Sequence, residues 1–195
     1  MPTFLFGTLL AVIPSVLGVG TFTPGLRVSV LLLVFIGTFA IPALLIFLLL
    51  RSGIIRSVHL HDRNDRRIPY LLTGLVYASL TYLFGFRLQL VSTFAPVLAV
   101  LMGSTTLSIM LVGLINLYWK ISAHGIGVGG TVGAIAGLLM RFGESSLLLP
   151  LAGAVILAGA VATARLQLNA HTPAQVAAGV SVGALVSGGA VVWWL

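Results

Sequence analysis

The chain has 195 residues, 59% of them hydrophobic and only 7% charged, a composition that excludes a soluble domain and points to an integral membrane protein. Ten Lys and Arg against three acids give a net charge of +7; in so apolar a chain these bases belong at lipid headgroups or around an anionic ligand, not on a nucleic-acid surface. The lack of cysteine excludes disulfides, thiolate metal sites and cysteine nucleophiles.

A bilayer core takes about 20 apolar residues per helix. On that ruler the sequence predicts an all-α bundle of about seven spans, near 3–21, 27–50, 68–87, 93–118, 122–141, 146–165 and 172–194. The first run has no basic stretch before it and does not read as a cleavable signal peptide. Thr23-Pro24-Gly25 separates it from the second, which suggests an added N-terminal helix over 1–26 in front of a core over 27–195. Pro42, Pro96 and Pro150 mark kinks or helix starts. Trp119, Trp193 and Trp194 fall at segment ends, where interfacial aromatics belong. The fifth segment carries Gly125, Gly129, Gly133 and Gly137, and the last carries Gly179, Gly183 and Ser187; both stripes read as tight helix packing. Gly125-x-Gly127-x-x-Gly130 has no preceding strand and no acid at the right distance, so it is not a dinucleotide fingerprint.

Each pair of spans returns the chain to the same side. The connections after the second, fourth and sixth segments therefore share a face, and they hold all four histidines and seven of the ten basic residues. The opposite face keeps Arg27, Arg87, Arg141 and Glu144. Ionisable groups gathered at one end of a membrane bundle mark a candidate site.

Three stretches contribute. The first is His59-Leu-His61-Asp62-Arg63-Asn-Asp65-Arg66-Arg67-Ile-Pro69, and the second is Lys120-Ile-Ser122-Ala-His124, with Ser122 as a helix N-cap. The third runs from Arg165 through His171 to Thr172-Pro173-Ala174-Gln175, a Thr-x-x-Gln capping box with proline at the first helical position. A helix N-terminus with a guanidinium and an imidazole beside it favours a bound anion. Arginines clamp phosphate oxygens, one imidazole attacks phosphorus and a second protonates the leaving oxygen. Asp62, Asp65 and Glu144 are the only acids and do not make the carboxylate cluster of a magnesium enzyme, so no metal or other cofactor is expected.

In order and spacing these stretches resemble the three signatures of the type 2 phosphatidic acid phosphatase family, roughly K-x6-R-P, P-S-G-H and S-R-x5-H-x3-D. Arg165, His171 and Gln175 keep the third spacing; Ser122 and His124 keep half of the second; Arg67-Ile-Pro69 stands for the Arg-Pro of the first with one residue inserted. The resemblance implies a six-span core. It implies His171 as nucleophile, His124 as general acid, and Arg165, Ser122, Arg66 and Arg67 as phosphate ligands. The family lysine is missing, with Arg63 and Lys120 the candidates to replace its charge. Gln175 stands where the family has the aspartate that orients the nucleophile. Loss of a carboxylate in that position is worth up to about ten-thousand-fold in a serine-protease triad.

Two functions stay open on these residues. One is a metal-independent phosphatase or phosphotransferase acting on a lipid phosphate through a phosphohistidine. The other is an inactive relative that binds anionic lipid or serves in a larger membrane complex. A haem- or chlorophyll-binding role for His124 and His171 is a lesser alternative. A prenyltransferase lacks its second acidic motif. Seven basic residues against three point the site to the cytoplasm, whereas three against three remain once Arg63, Arg66, Arg67 and Arg165 are set aside for phosphate. The family resemblance implies an outward-facing site in a bacterial inner membrane.

Overall fold

The computed structural model describes residues 1–55 and 64–195, with the backbone alone at 64 and 65. Among these, every regular element is helical. In order they are α1 (Pro2–Val12), α2 (Pro24–Phe35), α3 (Ile41–Arg51), α4 (Asn64–Tyr82), α5 (Gln89–Phe94), α6 (Pro96–Ile115), α7 (Ala123–Phe142), α8 (Leu148–Gln167) and α9 (Pro173–Trp194). A π turn, Ile36–Ala40, fuses α2 and α3 into one span, and a second, Leu83–Arg87, extends α4. Among the described residues six helical segments are long and apolar enough to cross a membrane: Pro24–Arg51, Arg66–Arg87, Pro96–Ile115, Ala123–Phe142, Ser145–Gln167 and Pro173–Trp194. The protein is therefore read as an integral membrane protein.

The expected first span is where the structure departs from the sequence reading. Instead of a helix over 3–21 there is an 11-residue helix, about 17 Å long and too short to cross. Pro14 cannot continue it, and the chain turns at Gly18, whose φ of +76° and contact with the Phe94 carbonyl leave no room for a side chain. Phe6 and Leu9 on α1 are fully buried. The segment is apolar because it lies in the protein core, packed among α2, α6 and α7, and not because it meets lipid. The fourth predicted segment is also trimmed, since Pro96 starts α6 and the short α5 precedes it.

Pro42 shows how the bundle repairs a broken helix. It brings no N–H to the carbonyl of Thr38 one turn back, and the π turn beside it opens the ladder further. The Tyr77 hydroxyl of α4 donates to that carbonyl at 2.9 Å. A Thr81–Thr106 hydroxyl pair at 2.7 Å then ties α4 to α6.

The contact that matters most for the site is between α7 and α9. These helices run parallel: the Ser122 N–H donates to the Gln175 carbonyl at 3.3 Å, and the glycine stripe meets successively later residues of α9. A Cβ at Gly129 would collide with the Val180 carbonyl oxygen, and one at Gly133 with that of Ala184. The glycines let two backbones touch, as their spacing predicted. A parallel contact in this register brings the starts of both helices to the same end of the bundle.

Candidate functional site

The turn between α8 and α9 is built from two local motifs. The N–H of Asn169 donates to the Leu166 carbonyl at 3.0 Å and that of Ala170 to the Arg165 carbonyl at 3.1 Å, a Schellman ending with Asn169 in the left-handed position (φ 48°). Asparagine accepts that conformation more readily than other residues with a side chain. Helix α9 then opens at once with the capping box: the Gln175 N–H donates to Thr172 Oγ1 at 3.4 Å and the Thr172 N–H to Gln175 Oε1 at 3.2 Å. The chain reverses within five residues, so Arg165 and His171 end up on the same side.

The ring of His171 is set by the same glutamine. Its Nδ1 lies 3.2 Å from Gln175 Oε1, an atom that only accepts, so in the neutral ring Nδ1–H donates and the lone pair sits on Nε2. Burial holds the imidazole below its usual titration range; the Gln175 bond opposes this, and the charges of Lys120, Arg66 and Arg165 add to it. Those three cations come from the α6–α7 connection, the first turn of α4 and the last turn of α8. Lys120 is in turn held below the usual lysine range by burial and then by Arg66. Among the described residues the buried Nε of Arg165 has no hydrogen-bond partner. A cleft of about 480 Å³ opens here, lined by Lys120, Asn169, His171, Thr172 and Gln175.

Arg66 is 6% exposed and hydrogen-bonded to Tyr70, one turn further along α4. Arg67 is exposed and points elsewhere, into an apolar groove between α4 and α6. Ser122 is fully buried, and its Oγ accepts the Gly125 N–H at 3.0 Å. In this structure its hydroxyl caps α7 and does not face the cleft. His124 is exposed at the first turn of α7, and Arg165 and His171 act on it electrostatically. It lines a different cavity, about 230 Å³, with Met1, Tyr77, Thr105 and Ser108, and the two cavities share no lining residue. Arg63, together with His59, His61 and Asp62, lies outside the described residues.

No family model, curated protein or solved structure matches this chain.

The structure thus sets Lys120, His171 and Gln175 on one cleft, with Arg66 and Arg165 acting on His171 electrostatically, places His124 on a separate cavity, and leaves Arg67 and Ser122 facing other surroundings. Sequence reasoning passed over Tyr70 and Asn169. The first stands four residues after Arg66, the spacing that meets on one helix face, and the second sits where a left-handed residue ends α8.

At the other end of the bundle the cations are tied down locally. Arg27 donates to the Gly20 carbonyl at 2.9 Å, Arg141 to the Leu195 carbonyl at 2.8 Å, and Arg87 lies over the Tyr82 ring at 5.9 Å. Glu144 is at that end too. Around His171 lie the charges of Lys120, Arg66 and Arg165. What such a cluster accommodates most readily is an oxyanion, with the positive N-terminus of α9 adding to the field.

Proposed function

We propose that this end of the bundle binds the phosphate head of a membrane lipid and that His171 takes the phosphoryl group. The observation that carries the reading is an imidazole oriented by Gln175 at 3.2 Å in a cleft that Lys120 also lines, with the charges of Arg66 and Arg165 bearing on it. Nε2 of His171 attacks phosphorus, the bond to the lipid oxygen breaks, and the leaving oxygen takes a proton from His124. Water, giving a proton back to His124, then hydrolyses the phosphohistidine to inorganic phosphate and free imidazole, so no metal or other cofactor is required. The substrate class is phosphatidate, phosphatidylglycerol phosphate, a polyprenyl phosphate or diphosphate, or a similar lipid. By the resemblance to type 2 phosphatidic acid phosphatases, the membrane is a bacterial inner membrane.

A second reading is favoured by one specific observation. Gln175 Oε1, at the position of the family's orienting aspartate, and Ser122 Oγ, a phosphate ligand by the resemblance, are engaged as helix caps. On this reading the chain is an inactive relative that holds an anionic lipid or joins a membrane complex. Purified protein in vesicles, assayed for phosphate release in EDTA across those lipids, separates the two. The first reading expects release that His171→Ala abolishes, with acid-labile label on the wild-type protein. Release that persists in the alanine variant refutes His171 as the nucleophile, and binding without any release selects the second reading.

A further inference from the structure

The α4–α6 groove is an apolar recess of about 440 Å³ separate from the His171 cleft, and Arg67, Leu71, Gly74, Met110, Gly113 and Leu114 form its walls. Its glycines differ in kind from those between α7 and α9. A Cβ at Gly74 would meet only a Met110 side-chain carbon at 3.8 Å, and one at Gly113 the Tyr70 Cβ at 3.6 Å, both ordinary contacts. Here glycine does not let backbones touch; it leaves a furrow that larger residues would fill. From Arg67 to Leu75 the furrow follows α4 for about 12 Å, most of the depth of one leaflet of a core about 30 Å thick. Its walls are apolar within the bilayer and its head is a guanidinium, adjacent in the chain to the Arg66 that acts on His171.

We propose that this groove holds one hydrocarbon chain of a phosphate-headed lipid, with Arg67 meeting the head group. The charge at one end and the apolar length below it match a lipid end for end, whereas a neighbouring transmembrane helix would bury that arginine unpaired. The inference rests on the reading of this face as a lipid-phosphate site, and its test reads binding, not turnover.

Protein is reconstituted in phosphatidylcholine vesicles doped with phosphatidate carrying a photoactivatable group in one acyl chain, and adducts are mapped by peptide mass spectrometry. Adducts are expected on the groove stretches of α4 and α6 in excess over Leu149 and Ile156, which are 82% and 73% exposed on α8 and report the bulk lipid. Gly74→Leu with Gly113→Leu is expected to remove the excess, while Gly74→Ala with Gly113→Ala keeps it and controls for folding. Arg67→Gln, or diacylglycerol with the same labelled chain, is expected to lower it about fivefold. Equal labelling of the groove and α8 overturns the proposal. So does an unlabelled groove in a chain that runs as a dimer, which assigns the furrow to a second copy. Groove labelling without phosphate release keeps this inference and removes the catalytic reading; release without groove labelling does the reverse.

Discussion

Gln175→Glu is the most informative single change. The two side chains have the same length, so the carboxylate oxygen falls where Oε1 is now, 3.2 Å from His171 Nδ1 and 3.2 Å from the Thr172 N–H. Aspartate would restore the charge but shorten the arm that closes the capping box. Unit charges about 4 Å apart at an effective dielectric of 20 attract by about 4 kcal/mol. The site is half-exposed, and solvent screening reduces this to about 1–2 kcal/mol, or roughly one pKa unit. The His171 ring, now below the usual imidazole range, should therefore titrate about one unit higher, as read by nitrogen-detected NMR of histidine-labelled protein. If His171 is the nucleophile, phosphate release should rise by about fivefold to thirtyfold, short of what a fully buried carboxylate supplies. An unmoved titration midpoint would refute the His171–Gln175 geometry itself. A moved midpoint with no gain in turnover would leave the geometry standing and favour the binding role.

Further expectations follow from the same contacts. Ser122→Ala removes an N-cap and should destabilise the protein by about 1 kcal/mol while leaving phosphate-lipid affinity within about twofold; a large loss of affinity at unchanged stability would return its hydroxyl to the cleft. Gly133→Ala sets a methyl against the Ala184 carbonyl and should cost about 1–3 kcal/mol or more, whereas Gly74→Ala should be neutral or stabilising by up to about 1 kcal/mol; equal effects in denaturant titration would contradict the two kinds of glycine. Because His171 has a lowered proton affinity when folded, the unfolded chain binds more protons as pH falls below about 6.5, so this residue's contribution to stability is lost on the acid side. Thermal unfolding against pH should show that slope in the wild type and less of it in His171→Gln.

The six long spans were legible because crossing a bilayer imposes a length and a composition that survive in sequence. The N-terminal run failed the same test for a physical reason. Hydropathy does not distinguish a helix facing lipid from one facing protein, and Phe6 and Leu9 are buried in protein. The caps at Ser122 and Thr172 were legible because they are local, involving a hydroxyl and an N–H three residues apart. That Ser122 faces α9 and Arg67 faces the groove was not, since rotation about a helix axis is fixed by partners distant in sequence. The one-ended charge pattern carried further. Arg66, Lys120 and Arg165 all bear electrostatically on His171, because connections that alternate sides return to the same end of the bundle.

The same-direction pairing of α7 with α9 has a consequence for how the chain must be threaded through its membrane. Two neighbours that enter from one side need a return passage between them, and α8 provides it while burying only 17% of its most apolar stretch. Its outward residues answer mainly to the lipid, so most could be exchanged for other apolar ones without disturbing His171. Its existence is another matter. Delete that single crossing, and the two helix starts are left on opposite sides of the bilayer.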